Sequence, residues 1–530
     1  MTTTIETFIE DFTARYAALH RQSTQATWQA HTTGEEAAFA ESARLTKAMR
    51  TLFADRDAFE QLTTWQDGSP PADPLVRRQL KLLYLGHLAG QNDPDMIEQL
   101  TETEREISQT FINFRGELDG QRLSDNEIET ILRTSADSRE VRNAWMAGKQ
   151  VGAQVADQVR EAVRLRNESA HRLGFPNHYA LSLVASELDE DWLFALLDDL
   201  AARSEELFRE MKAEMDALLA ERFGTSTAAL RPWHYGDPFF QRPPRLDEVD
   251  MDPFFADLDP VELATRTYDG MGMDVRPILE RSDLYARAGK NQHAFCLDMD
   301  RQGDVRTLCN LEPTHRWNET LLHELGHGVY DIYISPDLPF LLRTHAHTMM
   351  TESIALLMGR LTLDPRWLTA VAGLPATRAD RLASAVQRQL QRYLIVFLRW
   401  VLVITNFERA MYRDPEQDLN GLWWDLVERY QHLTRPEGRN APDWAAKIHL
   451  ALFPVYYQNY QLGDLIASQL DHHIRTEYGG LVDNPAAGEF LIERVFVPGD
   501  RCDWQAALEY ATGKPLHVDP FVNEGLGAAT

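Results

Sequence analysis

Apolar residues in this chain recur every three and four positions over long stretches, and that spacing commits it to packed helices. Ile5, Phe8, Ile9, Phe12, Tyr16 and Leu19 mark one face of such a helix, because 3.6 residues per turn brings these positions to one side. The pattern returns from Asp191 to Arg222 and from Arg378 to Met411. A helix with a single apolar stripe must bury it against other elements, so the expected class is mainly α. One β signal interrupts. His293 to Met299 reads as a short strand, Asp300-Arg301-Gln302-Gly303-Asp304 as a turn, and Val305 to Leu308 as the returning strand. Pro and Gly mark a loop from about Trp233 to Phe255.

The chain has 530 residues, enough to bury a large core, and length alone suggests two or more domains. Its formal charge of −28 argues against nucleic acid or an anionic membrane as partner, since both require local positive charge. The most apolar run, Leu394 to Ile404, is interrupted by Arg399. It is too short for a span of about 20 residues and reads as a core helix. The first residues lack a basic segment followed by an apolar one, so no signal peptide is expected. Three cysteines, Cys296, Cys309 and Cys502, are too few and too odd in number for a disulfide framework. Unpaired thiols and a cytoplasmic location are expected.

His323-Glu324-Leu325-Gly326-His327 is an HExxH motif. On a helix its two imidazoles share a face and can reach one ion. Glu324, rotated by about 100°, can stand beside that ion and act on a bound water. Leu321, Leu322, Leu325 and Val329 would bury the helix, and Gly326 and Gly328 fit close approach by a substrate or a neighbouring strand. A third ligand is needed. Glu352 lies among apolar residues on a second unbroken segment, and a carboxylate buried there needs a partner. His345 and His347 are rival ligands, better suited to lining the site or the surface. Zinc, one ion per chain, is the metal this ligand set suggests.

The arrangement resembles the peptidyl-dipeptidase A family, the angiotensin-converting-enzyme-like zinc peptidases, in which a glutamate ligand follows HExxH by some two dozen residues. Here Glu352 lies 25 residues after His327. The resemblance runs from about Ala286 to the C-terminus and more faintly through the N-terminal helices, around Ala26-Thr27-Trp28. It implies one peptidase domain over the whole chain, with lid-like helices over about 1–120, a catalytic part over about 286–520 and a deep central channel. It also implies that the strand His293-Ala294-Phe295-Cys296, thirty residues before His323, pairs with substrate backbone through His293, Ala294 and Cys296. An exposed strand edge can do so whatever the peptide's side chains. Leu422-Trp423-Trp424-Asp425-Leu426 and Tyr430-Gln431 resemble a helix that we read as packing.

Lys447-Ile448-His449 and Pro454 to Tyr460 resemble two further elements of that family. By that likeness Lys447 binds the substrate's C-terminal carboxylate, His449 bonds a peptide carbonyl, and a tyrosine steadies the oxyanion. Counted from His449, Tyr456 matches the first family tyrosine and Asn459 falls where the second should be. One inserted residue would instead select Tyr457 and Tyr460, whose spacing puts both phenols on one helical face. We favour that register, with Tyr460 as the oxyanion donor. Three departures stand out. Tyr235 of Trp233-His234-Tyr235 occupies the place of a glutamine that assists the lysine. Gln458 or Asn459 replaces a chloride-binding arginine, so no such chloride dependence is expected. Leu356 replaces an aspartate that orients a zinc histidine. The expected activity is removal of C-terminal dipeptides from oligopeptide substrates, with internal cleavage, carboxypeptidase action or silent peptide binding as alternatives.

Overall fold

The N-terminal stripe forms the helix Ile5–Thr33, started by Thr4, whose side chain accepts from the Thr7 N–H, and ended by Gly34 at φ 72°. A computed structural model describes residues 4–91, 94–118, 120–244, 246 and 250–527. It is 70% helical, and the class is mainly α as the periodicity requires. The other two stripes form Glu190–Arg222 and Ala376–Arg413. Within the latter, Leu394 to Ile404 is a core helix. Arg399 there is 1% exposed and donates to Glu205 and Ser204 at 2.8 Å each, which gives its buried charge an acidic partner. No helix among the described residues is long and apolar enough to cross a membrane.

The expected hairpin is present as Phe295–Asp298 paired antiparallel with Val305–Leu308. Asp298 Oδ1 accepts from the N–H groups of Asp300 and Arg301 and shapes the turn. The first strand begins two residues later than expected, leaving His293 and Ala294 as its lead-in. A second ribbon, Gly116–Leu118 with Gln121–Leu123, was not expected. Its strands hold no β-branched or aromatic residue, and only the Asp119-Gly120 pair signals it. In the loop from Trp233 to Phe255, Pro232–Tyr235 and Asp252–Phe255 form single turns; positions 245 and 247–249 lie outside the described residues. All three cysteines are free.

Contacts group the chain into two compact units. The first comprises Met1–Gln91, Val249–Gln387 and Leu462–Phe521, and the second Asn92–Glu248, Arg388–Gln461 and Val522–Thr530. In the first, Ile9, Phe12, Leu62, Leu80, Leu83 and Leu341 form a buried cluster. The second is built around large aromatic side chains, with Trp145, Trp400, Trp424 and Trp444 fully buried.

The HExxH segment lies in the first unit on the helix His315–Tyr333, capped by Thr314. Leu321, Leu322, Leu325 and Val329 are at most 1% exposed. The helix packs against Thr348–Arg360, and Gly326 sits at the closest approach. A Cβ on Gly326 would stand 2.8 Å from Ala355 Cα, and one on Gly328 would stand 3.0 Å from Ile278 and 3.6 Å from Val305. A neighbouring strand does approach at Gly328, but the partner at Gly326 is a helix. Gly326→Ala should therefore destabilise the protein by about 1–3 kcal/mol through overpacking, read as a lower denaturation midpoint. An unchanged midpoint would contradict so close a crossing.

Candidate active site

One turn of the helix separates His323 from His327, and their rings lie 5.1 Å apart between centres, nearly perpendicular. Glu352 reaches them from the second helix. Its Oε1 is 3.7 Å from His323 Nε2 and its Oε2 is 3.6 Å from His327 Nε2. Two ligand bonds of about 2.1 Å at a tetrahedral angle separate the ligand atoms by about 3.4 Å, so the three side chains fit one zinc-sized cation. No other such group of His, Cys, Asp and Glu comes together among the described residues. Glu352 is 24% exposed and the histidines 25% and 18%. The glutamate is thus half-buried where full burial was expected.

The electrostatics of the cluster favour an added positive charge. Burial lowers His323 to about 4, and burial, then His323 and His345, lower His327 to about 3. Burial and then Glu352 raise Glu324 to about 8, and burial and then Asp464 raise Glu352 to about 7. Each shift reflects charge held away from water without sufficient compensation. The imidazoles are neutral, as metal ligation requires, and a divalent cation would reverse the pressure on both carboxylates.

Thr351 supplies a partner that sequence reasoning did not find. Its Oγ1 lies 2.8 Å from His327 Nδ1, so Nδ1–H can donate to it while Nε2 keeps its lone pair toward Glu352. Thr351 adjoins Glu352 on a helix, a neighbour relation that carries no motif signal. Asp464, 4% exposed, pairs with Arg360 beside this cluster. His347 caps the second helix by accepting from the Met349 N–H at 3.2 Å. His345 Nδ1 lies 3.8 Å from Asp331. Neither rival histidine joins the triad.

In the hairpin, Cys296 pairs with Thr307. The outer edge of Phe295–Asp298 carries no further strand among the described residues. His293 is exposed, and its N–H donates to Asn291 Oδ1 at 3.0 Å.

The second unit gathers the Lys447 group. Lys447 Nζ donates to Gln241 Oε1 at 2.8 Å, and Gln241 Nε2 in turn donates to Asp237 at 3.1 Å. This corrects the expectation for Tyr235, which bonds Asp216 and Lys212 instead, each at 2.7 Å. Gln241 lies 206 residues from Lys447 in an irregular loop, so no spacing rule could pair them. Gln431, read as packing, also donates to the carbonyls of Phe239 and Phe240 just before Gln241. Lys447 Nζ stands 5.4 Å from the Tyr457 and Trp400 ring centres. Burial lowers it to about 8. The His449 ring lies 5.0 Å from that of Tyr457, and its Nδ1 has no hydrogen-bond partner among the described residues. Tyr457 is buried, Tyr456 and Tyr460 are half-buried, and the Tyr460 ring lies 5.4 Å from Tyr457 and 5.3 Å from Tyr456.

Removing the His327 partner should loosen the metal. Thr351→Val is expected to lower zinc affinity by about 10- to 100-fold, measured by competition with a chromogenic chelator, whereas Thr351→Ser keeps it. Equal affinities in all three proteins would exclude the role.

Comparison with known proteins divides the chain. Residues 1–232 match the family model for angiotensin-converting enzyme, and residues 280–524 match that for peptidase family M3. The family model for angiotensin-converting enzyme thus matches the N-terminal part, where the motifs made the resemblance faintest. An inactive angiotensin-converting enzyme-related protein of Caenorhabditis elegans is 24% identical over 252 residues, covering 43% of this chain and 27% of that protein. Angiotensin-converting enzyme of Rattus norvegicus is 24% identical over 238 residues, covering 42% of this chain and 18% of that protein. The chain thus spans about a quarter or less of the relatives it matches. Two consecutive peptidase matches, with these relatives, make the chain similar to metallopeptidases of the angiotensin-converting-enzyme and M3 kinds.

Proposed function

We propose that this chain is a zinc peptidase that shortens oligopeptides from the C-terminus, chiefly by two residues at a time. The observation that carries the reading is the convergence of His323 Nε2, His327 Nε2 and the Glu352 carboxylate, with the buried carboxyl of Glu324 on the same helix. Zinc held there would polarise the scissile carbonyl and acidify a water. Glu324 takes a proton from the attacking water and returns it to the leaving amine. His449 and Tyr460 carry the oxyanion role that the resemblance gives them. The strand edge at Ala294 to Cys296, with His293 before it, offers backbone groups to an extended peptide.

Dipeptide release rests on Lys447. A buried ammonium oriented by Gln241 suits a free carboxylate, which it would meet with charge-assisted hydrogen bonds. The match of residues 280–524 to peptidase family M3 favours a second reading, an oligopeptidase that cuts internally. A peptide offered with free and with amidated C-terminus separates the two, because loss of rate on the amide requires carboxylate recognition. One relative carries the word inactive in its name, but this chain keeps the base Glu324 and all three ligand residues.

Chelation should abolish hydrolysis and zinc restore it. Glu324→Gln should retain zinc and lose activity by about three orders of magnitude or more, as expected when the proton acceptor is removed; a normal rate would refute the base assignment. Lys447 is cationic below its value of about 8. KM for a free-acid peptide should therefore rise as pH passes upward through that value, with no such rise for the amide.

A further inference from the structure

Val455 has φ 53° and is 6% exposed. A β-branched residue in the left-handed region is a backbone outlier that persists only where its surroundings hold it. Both of its peptide groups are held. The Val455 N–H donates to Glu408 Oε1 at 2.8 Å, and the Val455 carbonyl accepts from Gln458 Nε2 at 2.6 Å. Glu408 and Gln458 are 2% and 1% exposed. The near side of the turn is fixed too, since Arg166 donates to the Ala451 carbonyl at 2.6 Å at the end of the short helix Ile448–Leu452.

This turn joins the segment bearing Lys447 and His449 to the one bearing the tyrosines. It lies where the tyrosine count requires one inserted residue. Past Val455 the chain sends Tyr457 inward beside Lys447 and His449, while Tyr456 stays half-buried against Tyr460. Nothing in the proposed chemistry uses Glu408, and a carboxyl this deeply buried is costly unless it has work to do.

We infer that Glu408 is a positioning residue, which with Gln458 locks the Val455 turn and thereby fixes Tyr457 and Tyr460 relative to Lys447 and His449. The effect on peptides rests on the function proposed above; the effect on the turn does not. Burial raises the Glu408 carboxyl to about 8, against the opposing pull of the Val455 N–H and Arg166. An uncharged amide at this position therefore keeps the acceptor that matters.

The test compares Glu408→Leu, Gln458→Ala and Glu408→Gln with the full-length wild type, all loaded with zinc. Hydrogen exchange of residues 453–460, followed by mass spectrometry, reads the turn. Relative kcat/KM on free-acid and amidated forms of one peptide reads the pocket. The first two variants should exchange there about tenfold faster, the order expected when a buried hydrogen bond is lost. Their preference for the free acid should fall by a similar factor at unchanged zinc content. Glu408→Gln should match wild type in both, which a role in bulk stability alone would not produce. Unchanged exchange in Glu408→Leu and Gln458→Ala overturns the inference, as does faster exchange with an unchanged preference. If wild type cuts no peptide, the peptidase reading fails, and the exchange comparison still decides whether Glu408 holds the turn.

Discussion

The absence of one methyl group lets two helices of the first unit come close enough for His323, His327 and Glu352 to converge. Gly326 faces Ala355 so closely that a Cβ would stand 2.8 Å from the opposing Cα. Gly359, one turn beyond Ala355, continues the seam, with a hypothetical Cβ 3.6 Å from His323 Cβ. The ligands stand at fixed offsets from this seam. His323 lies three residues before Gly326 and Glu352 three before Ala355, which on a helix means a neighbouring position on nearly the same face. Backbone proximity thus becomes side-chain convergence. Helix packing at ordinary distances of about 8–10 Å between axes depends on the side chains at the crossing, so small residues here set how far Glu352 must reach.

The same crossing creates an electrostatic problem that a cation would relieve. Glu324 and Glu352 are both crowded by burial, and the negative charges at Glu352 and Asp464 add to the load. Arg360 is committed to Asp464. The histidines remain neutral. Acids gathered beside uncharged imidazoles in this way favour an added divalent cation.

The second unit solves a different problem, holding a buried lysine among polar and aromatic partners. Asp237 orients Gln241, Gln241 receives Lys447, and aromatic rings enclose the ammonium. Both adjoining backbone turns contain a left-handed non-glycine residue, Phe240 on one side and Val455 on the other, and each is held by buried polar side chains. Such backbone outliers persist only where the surrounding structure holds them.

The sequence by itself determined the helical class, the hairpin before the motif, and the three residues that converge. All of these depend on local periodicity or on chemistry that tolerates few substitutes: apolar stripes, turn formers around Gly303, and a carboxylate in an apolar segment. Only the tertiary structure decided that Thr351 partners His327, that Gln241 rather than Tyr235 meets Lys447, and that Gly326 answers a helix. Those pairings join residues with no periodic relation, and many side chains could serve at each position. Such a contact is fixed by where the backbone arrives in space. Sequence spacing cannot reveal that until packing has brought the partners together.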